Sequence, residues 1–284
     1  MYSVSPVLSR SAVAAVACAA VLTAAGCSGG AGGAAGTGAA SGTPPATAAS
    51  ASQALSLAAS QARRVTSFTA TMDISASGTI SSHLTGTLAE QTRPAPLVHQ
   101  VFQVTSNGSV IPGGMETLLT GHAIYLKVRS LAKLVGKPWV KLSFASLKSG
   151  EGVSLAPLIH QMQGTNPLAV AQMFPSARNI RRAGSQVING VPATEYTGTL
   201  QVGAALRRLA PDVRKLVGPA MSANGVTTAA FRVWVDGQHQ IRKLVEHQSG
   251  RHYQATVTMV VTSVNQPLQI RVPKAGQVAA MPGL

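Results

Sequence analysis

Ser130-Leu131-Ala132-Lys133 has the spacing of the SxxK motif, in which a lysine assists a serine nucleophile. The companion SDN and KTG motifs are absent, as is a GxSxG nucleophile elbow, so neither acyl-enzyme nor α/β-hydrolase chemistry has support. His239, His247, His252 and Glu246 can be drawn together as metal ligands. They lack the helical HExxH spacing that sets two imidazoles on one face, and they fall in expected strands and turns, so they read as surface groups. The eight carboxylates are scattered singly, with no pair spaced for general acid and base work. The chain is therefore read as a non-enzyme, with no catalytic residue, no metal ligand and no cofactor.

The remaining charge is basic but thinly spread. Lys+Arg outnumber Asp+Glu by 23 to 8, giving +15, yet charged residues make up only 11% of the chain. Aromatics are 4% and no Lys/Arg run exceeds two, which argues against a nucleic-acid groove with stacking platforms and a concentrated basic stripe. Arg63-Arg64, Arg181-Arg182, Arg207-Arg208, Arg214-Lys215 and Arg242-Lys243 read as solvated pairs. The sharper alternative sets Arg207, Arg208, Arg214 and Lys215 of a late helix against anionic headgroups, where each basic residue gains about 1 kcal/mol. With 45% hydrophobic residues the chain can bury enough apolar surface to offset the entropy of ordering, so a folded core is expected. Its 284 residues allow one large domain, although the length prior of about 150 residues per domain also permits two.

One cysteine carries a chemical expectation. Met1 to Arg10 holds a positive charge, Ser11 to Thr23 is an Ala- and Val-rich run, and small residues close the stretch before Cys27, as in an export signal. The run is shorter than the ~20 residues needed to span a bilayer. Leu22-Thr23-Ala24-Ala25-Gly26-Cys27 resembles a bacterial lipobox, in which small residues admit the signal peptidase to the bond before a diacylglyceryl-modified cysteine; Ala24 stands where Leu is commonest. The alternative is an ordinary secretory signal with an incidental cysteine. Cleavage before Cys27 removes Cys18 and leaves Cys27 alone, so no internal disulfide forms and the core must stand unaided. Residues 1–26 are thus read as signal, 27–50 as a lipidated cysteine with a Gly/Ala/Ser/Thr tether, and 51–284 as a single domain. The Gly29 to Gly38 stretch lacks the strand and helix that a phosphate loop requires.

In the folded part, Leu55, Ala58, Ala59 and Ala62 recur at helical spacing within Ala51 to Arg64. Phe68, Ala70, Met72 and Ile74 then alternate with Thr69, Thr71 and Asp73, as in a half-buried strand. Further strands are expected at His83 to Arg93, Leu97 to Thr105, Met115 to Thr120, Ala123 to Arg129 and Pro138 to Leu142. Two short helices follow at Leu155 to Met162 and Pro167 to Phe174, then strands at Asn179 to Val187 and Thr194 to Leu200. Val202 to Val217 reads as an amphipathic helix broken by Pro211. Phe231 to Val235, Ile241 to Gln248 and Tyr253 to Val264 form a closing meander. Asn107-Gly108, Gly121-His122, Asn189-Gly190 and Asp236-Gly237 mark turns, where glycine accepts positive φ. Hairpin strands interrupted by few helices indicate an α+β fold built on an antiparallel sheet.

The succession of lipobox, tether, helix and the strand entry Val65-Thr-Ser-Phe68 resembles the actinobacterial LppX/LprG-type lipoproteins of the LolA-like superfamily. Ala123-Ile-Tyr-Leu-Lys127, Lys137-Pro-Trp-Val-Lys-Leu142, Asn189-Gly-Val-Pro-Ala-Thr-Glu-Tyr196, Val233-Trp-Val-Asp236 and Gln269-Ile-Arg-Val-Pro273 carry the likeness over about Ala51 to Ala280. The resemblance implies a curved half-barrel sheet whose concave side is covered by helices, with an apolar cavity for acyl chains between them. It implies a lipid or acylated glycolipid as ligand, anchoring at the extracytoplasmic face of the cell membrane, and an envelope transporter or acceptor protein as a further partner class. The inward candidates are Phe68, Met72, Ile74, Leu118, Ile124, Leu126, Val140, Leu142, Phe231, Val233, Val257 and Met259. Each fits a filled core as well as a cavity wall, because both have the same sequence signature. A non-catalytic envelope adaptor or sensor acting through protein contacts is the competing function.

Overall fold

The computed structural model describes residues 48–78, 80–144, 171, 173–174, 177–204 and 224–280. The signal, Cys27, nearly all of the tether, the first middle helix and most of the late helix lie outside them. Helix α1 (Ala48–Ala62) leads into β1 (Ser67–Ser77), β2 (Ser82–Gln91), β3 (Leu97–Ser106), β4 (Ser109–Val110), β5 (Met115–Leu119) and β6 (Ala123–Val128). Helix α2 (Arg129–Val135) and β7 (Trp139–Ser143) follow, then β8 (Arg178–Ile188), β9 (Val191–Gln201), β10 (Thr228–Asp236), β11 (Ile241–Ser249), β12 (Gln254–Val264) and β13 (Val278–Ala280). The expected strands all form. Helix α2, β4 and β13 were not anticipated; Ser130 and Lys133 of the SxxK spacing lie exposed on α2.

All strands share one sheet, in the order β13-β7-β6-β5-β3-β2-β1-β12-β11-β10-β9-β8, with β4 paired to β3. Two antiparallel meanders meet where β1 pairs with β12, so the first and last long strands sit side by side at the centre. The exception to antiparallel pairing is β13, which returns after a long connection and lies parallel to β7. The sheet is open, ending on β8 and β13. From β1 to β8 five strand spacings would span about 24 Å if flat. Helix α1, about 10 Å across, lies against β8 while its apolar residues join one cluster with Phe68 of β1 and Leu88 of β2, so the sheet must curl around it. The architecture is the expected α+β half-barrel.

Local chemistry explains the turns and the packing. Asn107 with Gly108, and Asn189 with Gly190, all take positive φ, the combination a two-residue hairpin needs. At Asp236-Gly237 the left-handed residue is instead His239, at φ 60°. There Asp236 Oδ1 accepts hydrogen bonds from the Gln238 and Gln240 backbone N–H groups at 2.8 and 2.9 Å, while Oδ2 accepts from Arg242 Nε at 2.7 Å, so a carboxylate organises the turn. On α1, Leu55, Ala58, Ala59 and Ala62 are all buried, and three alanines let the helix approach the sheet closely. Gly198 faces Phe231 across β9 and β10, and a Cβ there would lie 2.5 Å from the ring, so the missing side chain makes room for the phenyl group.

The two sheet faces differ in how they treat charge. On the outer face Glu116 meets His99 and Lys127, Glu195 meets Arg232 and Asp73 meets His83. Trp234 is buried between Arg232 and Lys243, 5.0 and 4.6 Å from its ring, beside Ile188, Ala193 and Val245. Glu90 and Glu246 differ: both are buried on the inner face, and among the described residues neither has a cation beside it. Burial holds the Glu90 carboxyl well above the usual range, and pushes Glu246 up to about 7 despite a hydrogen bond from Gln248.

That placement fixes a sign for pH dependence. Glu246 keeps its proton to about pH 7 in the folded chain but releases it near the ordinary value of 4.5 when unfolded. Between those values the folded state binds more protons, so stability falls as pH rises through the window and levels off above it. Glu90 acts in the same direction. At Glu116 burial raises the carboxyl, but the Lys127 and His99 hydrogen bonds outweigh it and lower the pKa overall, so its effect is confined to more acidic solution. The urea midpoint is therefore expected to decline from pH 5 to pH 8, and Glu246→Gln to flatten the decline. A midpoint that climbs over this range, or an unchanged slope in the variant, contradicts the assignment.

Candidate functional site

The register decides which sequence-predicted residues share a face, because directly paired residues on adjacent strands project to the same side. From β1, Phe68 pairs with Val264 of β12, while Met72 and Ile74 pair there with Met259 and Val257, which lead on through β11 to Leu244 and Glu246. Those pair in turn with Val233 and Phe231 of β10. In the other direction Phe68 leads through Glu90, Val98 and Leu119 to Ile124 and Leu142, while Leu126 pairs with Val140. All the candidates except Leu118 thus lie on the inner face. Leu118 pairs with His99 and Tyr125 and lies on the outer face. The adjacent Leu119 takes the inner position, because side chains alternate along β5 and the two leucines must point apart.

Packing then divides the inner face into two regions. Phe68, Phe231, Val233 and Met259 are buried in the main cluster beneath α1, with Met72 packed against it. Phe174 stacks on Phe231 with ring centroids 4.8 Å apart, and Ala171 and Met173 join the same cluster, so this region is filled. Val140 is also fully buried. Ile74 and Val257, partners across β1 and β12, are only half-buried and stand outside that cluster. Leu126 and Leu142 are likewise half-buried, and Ile124 packs at the margin of a small group formed by Leu119 and Phe144. Apolar side chains on the curved face therefore retain accessible surface away from α1.

Within this face lie polar groups that the sequence reading did not assign. Glu246 and Gln248 are in phase with Leu244 on β11, at 4% and 2% exposure, and Gln248 Nε2 donates to Glu246 Oε1 at 2.8 Å. Gln248 Oε1 is buried without a hydrogen-bond partner. The period-two spacing of Leu244, Glu246 and Gln248 is the signal that would have found them. The histidines once drawn with Glu246 do not join it. His247 faces away and bonds Thr256, and His239 sits in the turn after β10. Among the described residues no three His, Cys, Asp or Glu side chains come close enough to hold a metal ion, and no helix is long and apolar enough to cross a membrane.

No family model matches the chain. Over 114 residues, 39% of its length, it is 28% identical to an uncharacterized 31.2 kDa protein encoded between rplA and rplJ in Streptomyces griseus. Over 111 residues it is 24% identical to a Streptomyces coelicolor protein named as a candidate lipoprotein. These matches span 37% and 31% of the relatives' own lengths. Among solved structures, the Mycobacterium tuberculosis lipoprotein LppX aligns over 77% of this chain and 98% of its own, at 15% identity and a TM-score of 0.46. LprF from Mycobacterium bovis aligns over 78% of this chain and 96% of its own, at 15% identity and 0.48. Over about three quarters of its length the chain is thus similar in fold to these two mycobacterial lipoproteins.

Proposed function

We propose that the chain is a lipoprotein anchored through Cys27 to the extracytoplasmic face of the cell membrane, and that it carries an acylated lipid along the uncovered part of its inner sheet face without chemically changing it. The observation that carries this reading is the accessible apolar surface at Ile74, Val257, Leu126 and Leu142, on the same face as a filled core. A carrier needs both regions. The core beneath α1 sustains the fold, and an acyl chain gains roughly 0.8 kcal/mol for each methylene it removes from water against the open apolar wall. The LppX/LprG-type likeness points the same way, as does the tether, whose small uncharged residues let a folded domain stand off the bilayer.

Anchoring is tested at the cysteine. A diacylglyceryl group supplies two acyl chains, about what stable membrane attachment requires. Cys27→Ala should leave the membrane fraction and lose labelled palmitate; equal labelling of both proteins refutes the anchor.

The filled and open regions make opposite demands on an added side chain. Val233 is 0% exposed, so Val233→Trp must displace its neighbours and should lower stability by about 1–3 kcal/mol. Val257→Trp should leave the melting temperature nearly unchanged while reducing the acyl ligand retained after gentle extraction, as seen by native mass spectrometry. Equal destabilisation by the two substitutions, with ligand content unaltered, would make Val257 part of a filled core and favour an adaptor.

A further inference from the structure

We propose that Glu246 and Gln248 form a polar anchor within the apolar face for a neutral lipid headgroup bearing a free hydroxyl. The inference rests on the lipid-carrying reading and adds to it the chemistry of the head that the face accepts. Both side chains project from β11 onto the inner face, where Glu246 lies opposite Phe231 and Val257, and Gln248 lies opposite Ala229 and Ala255. One strand further, Ile74 and Ala76 of β1 pair with Val257 and Ala255, which connects the anchor to the open apolar wall. Both cross-strand neighbours of Gln248 are alanines, so neither carries a polar group that could pair with its amide.

The hydrogen bonding is incomplete in a particular way. Gln248 Nε2 is used on Glu246 Oε1, whereas Gln248 Oε1 is buried with no donor. An unpaired buried acceptor is unfavourable, and nothing in a filled apolar core requires an amide and a carboxyl side by side. The other described carboxylates all face a cation or a histidine, except Glu90, which lies at the Phe68 end of the face. A hydroxyl complements the pair in one atom. Its O–H donates to Gln248 Oε1, and its oxygen accepts from Glu246 when that carboxyl carries its proton, a state burial favours up to about pH 7. An ammonium head has donors only and would demand an ionised carboxylate in a desolvated site.

The test compares 1-monooleoylglycerol with its dimethyl ether and with oleylamine, as competitors of a fluorescent fatty-acyl methyl ester bound to the delipidated full chain. Wild type should bind the alcohol about tenfold more tightly than the diether, the effect of one hydrogen bond to a buried acceptor. Gln248→Met should erase the difference while binding the diether as wild type does. Gln248→Ala, matching the size of its neighbours, serves as the second variant. Equal displacement by alcohol and diether from wild type, or a preference that survives both substitutions, overturns the anchor and leaves the lipid-carrying reading standing. Tighter binding of oleylamine than of the alcohol overturns the hydroxyl assignment. Displacement by none of the three overturns the lipid-carrying reading itself.

Discussion

The pairing of β1 with β12 is the constraint on which the rest of the sheet depends. Each strand has 11 residues, and their register runs from Phe68 opposite Val264 to Ser77 opposite Gln254. It joins two meanders that would otherwise each expose a long unpaired edge. A one-residue slip in this ladder would turn one meander's apolar set toward solvent, because side chains alternate along a strand. The shift between Thr69 and Ala70 is absorbed in the ladder itself, near the point where the chain enters from α1. On the outer side of that entry, Thr69 shares hydroxyl contacts with Thr262 and Ser263 at 2.6 and 2.7 Å, and Asn265 Oδ1 accepts from the Thr66 backbone N–H at 2.8 Å.

Curvature follows from what must be covered. A sheet of this width has more inner surface than α1 can shield, so the strands curl until the helix shares one core with Phe68 and lies against the distant β8 edge. Small residues make the curl possible. Alanines on α1 reduce the gap to the sheet, Gly198 yields its volume to Phe231, and on the other half Gly86 makes room for the Val101 carbonyl as well as the Phe102 ring. Large inward aromatics are thereby seated on glycine, which fills the core without pushing neighbouring strands apart. Ile74, Val257, Leu126 and Leu142 lie outside the cluster that α1 shares and remain half-buried.

Electrostatics reinforces the division between faces. Outward carboxylates meet cations or histidines in solvent, where such pairs are individually weak but tolerate the chain's excess of positive charge. Trp234 shows how far the outer face differs from the inner one. It is buried by basic side chains lying over its ring and by a few aliphatic neighbours, rather than by a helix. The inner face holds Glu90, Glu246 and Gln248 in apolar surroundings, where the dielectric is low and the protonated carboxyl is favoured.

By itself the sequence determined the elements and most of the face assignments. Alternation at Phe68, Met72 and Ile74, helical spacing at Leu55, Ala58 and Ala62, and the Asn-Gly turns are local patterns, and local sterics set them before any long-range contact forms. Leu118 escaped because Leu118 and Leu119 are adjacent and equally apolar, so only the pairing of Leu119 with Ile124 tells which one points inward. Helix α2 was hidden within an expected strand end and a serine–lysine spacing. The parallel β13 depends on a partner more than a hundred residues away. The separation of Val233 from Val257, one sealed and one half-open, was likewise invisible, since both are valines on the apolar phase of a strand. Tertiary structure decided it, because burial depends on what the curved sheet brings beneath α1 and what it leaves beyond that helix's reach.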